Sequence, residues 1–320
     1  MNTLEISIVI PVFNSENSLE PLAHQISQSL QNIDYELILV NDKSADKSWD
    51  KIVSLSLINK RIKGISLKRN CGQDNAIMAG LVQTSGEFIV IMDDDLQHSP
   101  SDILKLYEKC KEGFDICYGN FNSKKQSLWK NIGSQINGYL AELFINKPRG
   151  LYLSPFKIFH SSLIHEIIRY RGPFPYVDGI LFSLTSNITQ INLVHYKRQH
   201  GKSNFNLSKS ASVFFRHLTG YSLYPLRIAT IIGIMAASLS FFLGVFFLVD
   251  YLRNENHVEG WITLVLLIVF FNGLLLMCIG IIGEYIGRIY LTTTAKPQYV
   301  IDKSILGETK KNENYTSWKR

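Results

Sequence analysis

Over the first two hundred residues, short runs rich in β-branched residues alternate with segments whose apolar positions recur at helical spacing. EISIVIPVF (5–13), YELILVND (35–42), IKGISLK (62–68) and EFIVIMD (87–93) read as strands, being apolar, β-branched and too short for buried helices. Between them SENSLEPLAHQISQSL, the segment after Lys43, and GQDNAIMAGLVQ carry helical spacing with Ser or Asn at their starts. This alternation predicts an α/β domain: a largely parallel, Rossmann-like sheet with helices on both faces. Further along, SLWKNIGSQINGYLAELFI (127–145) reads as a helix, and FKIFH (156–160) and ITQINLVHYKR (188–198) as strands.

The pattern then changes. Ile228 to Val249 and Trp261 to Gly283 carry no charge, and as helices each would span roughly 30 Å, the thickness of a bilayer's hydrocarbon core. Two buried helices of a soluble core are the alternative, but such helices rarely run so long without a polar face. His195 to Arg227 holds six Lys and Arg and no acidic residue, whereas the connection DYLRNENHVEG sets one Arg against Asp250, Glu255 and Glu259. The positive-inside rule therefore puts both flanks, and both termini, in the cytoplasm and the connection outside. NLSKSASVFFRHLTGYSLYPLR mixes basic and aromatic residues as a helix in the headgroup layer would, although a plain amphipathic core helix fits the same pattern. The expected organisation is a cytoplasmic domain (1–204), an interfacial helix (205–227), a first span (228–249), an external loop (250–260), a second span (261–283) and a cytoplasmic tail (284–320), loosely ordered from Asp302. No secretory leader is visible, so the first domain is expected to stay in the cytoplasm. The net charge of +6 then implies attraction to anionic lipid, with nucleic acid not expected as a partner. Four cysteines without metal-ligand spacing read as free thiols, and assembly into a homo-oligomer stays open.

One stretch carries the chemistry. In IVIMDDDLQHSP an apolar strand runs into three adjacent carboxylates, whose repulsion needs a cation or a set of donors to offset it. In a parallel sheet, ligands collect at the carboxyl ends of the strands. That edge is formed by Pro11 to Asn14, Asn41 and Asp42, Lys68 to Asn70, and Asp93 to Asp95. Asp93 and Asp95 together suit a hard divalent cation, Mg²⁺ or Mn²⁺, shared with substrate phosphates, while Asp94 is expected to point elsewhere.

IVIPVFN, LVNDKS, LKRNCGQDNAIMAGL and IMDDDLQHSP, in that order, resemble the family 2 glycosyltransferases of the GT-A fold. PLR before the first apolar run and GEYIGRIY after the second resemble the polyprenyl-phosphate group within it, which includes dolichyl-phosphate mannose synthase and bactoprenol glucosyltransferase. The resemblance implies a membrane-bound enzyme that moves one sugar, with inversion, from a nucleotide diphosphate sugar, UDP-sugar favoured, to polyprenyl (undecaprenyl) phosphate. It implies Asp42 at the base, Asp93 near ribose and metal, Asp95 on the metal, and Pro11, Asn14, Asp94 and Gln97 beside the donor. Arg69 and Asn70 match a family pattern there, though a turn capping the next helix accounts for them equally. Lys130 and Ser134, one helical turn apart, fall where relatives hold the lipid phosphate. Arg198, Lys202 and Ser203 in RQHGKSNF either close over phosphate or simply supply membrane-surface charge. The chain departs from the family pattern where GLYLSPFK puts Leu151 in the place of an aspartate often treated as the base. Either Asp178 in PYVDG serves as the base, or none is needed. A non-catalytic scaffold or nucleotide-sugar sensor is the rival reading, and a polysaccharide synthase, for which no QxxRW motif is present, is another.

Overall fold

Among the described residues eight strands form one sheet in the order β7-β5-β6-β4-β1-β2-β3-β8. They are β1 (Ile6–Val12), β2 (Tyr35–Asn41), β3 (Ile62–Leu67), β4 (Phe88–Ile91), β5 (Ile116–Asn120), β6 (Lys157–His160), β7 (Ile188–Asn192) and β8 (Ile301–Ile305). The computed structural model describes residues 4–121, 147–172, 174–194, 224–253, 260–294 and 296–306. β4, β1, β2 and β3 are mutually parallel, so their carboxyl ends share one edge, as the alternation predicts. β6 runs antiparallel between β4 and β5.

Every residue of β1 and β2 is buried, the signature of strands covered on both faces. α1 (Leu19–Ser29) buries Leu19, Leu22, Ala23 and Ile26, a single stripe of i, i+3, i+4 and i+7 positions. With α4 (Asp102–Lys111) it packs on the face carrying Ile6, Ile8, Ile10 and Val12. α2 (Ser48–Ile58) leans on β3. α3 (Gln73–Leu81) lies on the opposite face, where Gly80 lets it approach: a Cβ there would sit 2.5 Å from Val9 Cγ1 and 3.0 Å from Val40 Cγ2. Two short helices, α5 (Ile164–Arg169) and α6 (Val177–Leu184), precede β7.

β8 departs from expectation. Ile301 to Ile305 was expected to lie in or beside a loosely ordered tail, yet it pairs antiparallel with β3 from Gly64↔Ile305 to Leu67↔Ile301. Lys68 N–H donates to the Val300 carbonyl (2.8 Å), and Gln298 Nε2 donates to the carbonyls of Tyr170 (3.0 Å) and Gly172 (2.7 Å). The strand is exposed, so backbone pairing and not burial holds it, and hydropathy patterning does not register backbone pairing.

Residues 205–294 form a second compact unit with two long helices, α7 (Tyr224–Arg253) and α8 (Trp261–Thr293). Among the described residues one stretch is long and apolar enough to cross a membrane: Phe270–Thr293, 24 residues with a mean hydropathy of 1.7. In α7 the corresponding apolar stretch, Ala229–Leu243, is shorter. Met235, Phe241, Phe242, Phe270 and Leu276 are exposed, the reverse of what helices buried in a soluble core would show. Asn272 donates to the Ile268 carbonyl one turn back in its own helix (2.8 Å). The predicted helix at 127–145, with Lys130 and Ser134, and the basic loop with Arg198, Lys202 and Ser203 lie outside the described residues.

Candidate active site

The loops leaving β1, β2, β3 and β4 each turn through a left-handed residue: Asn14 (φ 54°), Lys43 (φ 58°), Gly72 (φ 90°) and Leu96 (φ 59°) in that order. Three of the four are not glycine, and such backbone persists only where surrounding bonds fix it. Here those bonds knit the loops together. Asn14 N–H donates to Ser44 Oγ (3.0 Å), and Asn14 Oδ1 accepts from Ala45 N–H (2.8 Å). Glu16 and Lys47 continue the seam, with Glu16 N–H on Asp46 Oδ2 (3.1 Å) and Lys47 N–H on Glu16 Oε2 (3.0 Å). Asn14 thus braces the first loop against the second.

Asp42 has a similar task. Its Oδ1 accepts from Cys71 N–H (2.7 Å) and its Oδ2 from Gly72 N–H (2.8 Å), which ties β2 to the start of α3. Burial pushes this carboxyl up, and the two N–H donors pull it back. At the end of β4 each aspartate is tethered differently. Asp93 Oδ1 accepts from Gln73 Nε2 (2.8 Å), Asp94 Oδ2 from Phe13 N–H (3.4 Å) and Asp95 Oδ1 from Gln97 N–H (3.1 Å). The middle residue is therefore turned toward the loop after β1 and still borders the cleft.

These groups enclose a cleft of about 320 Å³ lined by Pro11, Val12, Phe13, Asp42, Asn70, Gly72, Gln73 and Asp93 to Asp95. Of the residues singled out in the sequence, the structure brings together Pro11, Asp42, Asn70, Asp93, Asp94 and Asp95. Asn14, Arg69 and Gln97 are not on the wall, although Gln97 orients Asp95. Phe13, within the strand end Pro11 to Asn14 named from the sequence, lines the cleft, and so does Gln73, which was not singled out; its signal was adjacency to the α3 start.

Burial, and then repulsion from Asp95 and Asp94, pushes the Asp93 carboxyl up to about 7. A wall of this kind fits a hard divalent cation. Among the described residues no three His, Cys, Asp or Glu side chains converge as a complete ligand set. Two carboxylates completed by substrate phosphates are, however, how Mg²⁺ is commonly held. Asp74, in the first turn of α3, is pushed up to about 6 by burial and then by Asp178. Both carboxyls lie above their unfolded range, so their stabilising effect is full at low pH and is lost as pH rises through about 6 and about 7. Melting in chelator should give a Tm that falls from about pH 5.5 to about pH 8, with a shallower fall in Asp93→Asn. A Tm that rises across that window would contradict this arrangement.

Asp178 stands apart from the cleft wall, in the first turn of α6. Its Oδ1 accepts from Tyr118 Oη (2.7 Å) and pairs with Lys157 of β6. Leu151 is buried, its carbonyl accepting from Lys147 Nζ (2.8 Å).

The model of glycosyl transferase family 2 matches residues 7–168. The chain belongs to that family. It is a glycosyltransferase, and it is similar along nearly its whole length to relatives of the same size. An uncharacterized glycosyltransferase of Bacillus subtilis, YkcC, is 31% identical over 315 residues, covering 96% of each chain. Undecaprenyl-phosphate 4-deoxy-4-formamido-L-arabinose transferase of Photorhabdus laumondii is 30% identical over 315 residues, covering 97% of each. Among solved structures, glucosyl-3-phosphoglycerate synthase from Mycobacterium tuberculosis, crystallised with Mn²⁺, UDP-glucose and phosphoglyceric acid, superposes with a TM-score of 0.52. That match covers 67% of this chain and 77% of the other at 18% identity, which shows a shared GT-A fold.

Proposed function

We propose that this glycosyltransferase moves a single sugar, with inversion, from a UDP-sugar to a polyprenyl phosphate such as undecaprenyl phosphate at the cytoplasmic face of a membrane. The observation that carries the proposal is the acidic wall of Asp93, Asp94 and Asp95 at the carboxyl edge of a parallel sheet, in a chain that also exposes long apolar helices. The undecaprenyl-phosphate transferase from Photorhabdus supports the acceptor, and the UDP-glucose in the mycobacterial structure supports the donor.

In this reading residues 1–204 form the cytoplasmic domain, 205–227 lie in the interface, and 228–249 and 261–283 cross the membrane, with both termini inside. Asp93 and Asp95 would hold Mg²⁺ or Mn²⁺, which when bound offsets charge on the leaving diphosphate. Asp42 and Asn14 keep the donor loops in register, Asn70 and Phe13 border the donor, and Gln97 orients Asp95. Lys130, Ser134, Arg198, Lys202 and Ser203 are assigned to the lipid phosphate. That acceptor has a second pKa near 6 and is largely anionic at pH 7, so Leu151 removes nothing the attack requires.

The test is purified full-length protein with a panel of nucleotide sugars, undecaprenyl phosphate and Mg²⁺ or Mn²⁺. Transfer of one sugar to the lipid is the expected result. Donor binding without transfer would make the chain a sensor, and an extended glycan product would make it a synthase; either outcome sinks the proposal.

A further inference from the structure

A buried ion pair stands behind the acidic wall. Lys157 pairs with Ile91 across β4 and with Tyr118 across β5, which places it two residues short of Asp93 on the neighbouring strand. Its side chain is only 4% exposed, its ammonium meets Asp178 Oδ1, and it lies over the Tyr118 ring, 5.4 Å from the centroid. Tyr118 Oη donates to the same Asp178 oxygen (2.7 Å). Asp74 on α3 accepts from the backbone N–H of Val177, next to Asp178. Lys157 also attracts Asp74 and Asp93, so α3, α6 and the end of β4 each place a carboxylate within reach of its charge.

The pair has a direction. Lys157 lies on the strand beside β4, in register two residues before Asp93, and acts on Asp93 as an attracting charge, whereas Asp178 lies in α6, off the cleft wall. Its positive end is therefore the one presented to the cleft wall. A buried pair is seldom worth its desolvation for stability alone, and an apolar pair of similar volume often serves as well or better. A role in charge balance explains why two ionised groups are kept there.

We propose that the Lys157–Asp178 pair is a positioning element that sets the balance in the cleft between divalent cation and anionic donor. The ammonium end loosens the hold of Asp93 on a cation and strengthens the hold on a diphosphate. The inference rests on the reading of the cleft as the metal and donor site.

Mn²⁺ binding, followed through the electron paramagnetic resonance of free Mn²⁺, and metal-free UDP binding by calorimetry test it on full-length protein. Lys157→Met should tighten Mn²⁺ binding by about fivefold and weaken UDP; Asp178→Asn, at the far end of the pair, should do the opposite by a smaller factor, about twofold. Lys157→Met with Asp178→Asn in one chain removes the whole pair and should leave Mn²⁺ binding about twofold tighter than in wild type. Lys157→Arg keeps the charge and should keep the Mn²⁺ Kd, which controls for folding. A merely structural pair would lower Tm in both single variants and shift Mn²⁺ binding in the same direction in both, or not at all. That result overturns the proposal. So does a loss of transfer beyond about a hundredfold in Asp178→Asn with unchanged Mn²⁺ affinity, since that marks a general base. A wild-type protein that binds neither Mn²⁺ nor UDP overturns the reading of the cleft itself.

Discussion

Asp95→Ala should lower kcat by roughly 10²- to 10³-fold, the scale on which losing one stabiliser of developing charge is felt. Asp93→Ala should fall in the same range, because the two carboxylates share one wall and one cation. Asp94→Ala differs. Its carboxylate is held by the Ser15 side chain and, at 3.4 Å, by Phe13 N–H, both neutral donors of the loop after β1, so its loss should cost about 1–2 kcal/mol, seen mostly as a higher KM for the donor. Steady-state kinetics with Mn²⁺ present separate the three. Equal losses in kcat for all of them would refute the division of labour along the triplet.

Asp42→Ala should do most of its damage through the fold. The substitution strips acceptors from Cys71 and Gly72 N–H at once, and each charge-assisted bond is worth about 1.5–3 kcal/mol. A drop in Tm of roughly 5–10 °C should accompany a rise of tenfold or more in donor KM, since the released loop carries Asn70, Gly72 and Gln73 on the cleft wall. Asp42→Asn retains one acceptor and should fall between. If Asp42→Ala raised KM and left Tm unchanged, the carboxylate would be a direct ligand and not a brace.

The contrast shows where sequence reasoning reaches. β1 and β2 are legible because both of their faces are covered, so nearly every position is apolar and β-branched. The edge that holds the site follows from their parallel arrangement, and the acidic triplet announces itself. Asn14 and Asp42 were picked out for the right edge, but strand-end position says nothing about which backbone donors arrive first. For Asp42 those donors come from Cys71 and Gly72, and for Asn14 from Ala45. Asp178 drew notice as a candidate base in place of Leu151, while Lys157, which claims it, sits in a strand whose pattern reads as plain core. β8 was missed for another reason: Asp302 and Lys303 face solvent, so its composition is that of a tail.

The late position of β8 also dictates an order of events during synthesis. β3 emerges early, with one edge lacking its final neighbour, and Ile305, which pairs with Gly64, leaves the ribosome only after both long apolar helices have been made. Until then the β3 edge is an open template that any passing strand can occupy. A chain that stalls or is cut short after α8 therefore keeps the Asp93–Asp95 wall but leaves its sheet unsealed. Completion of the catalytic sheet in this glycosyltransferase becomes a built-in report that the apolar hairpin has already been translated.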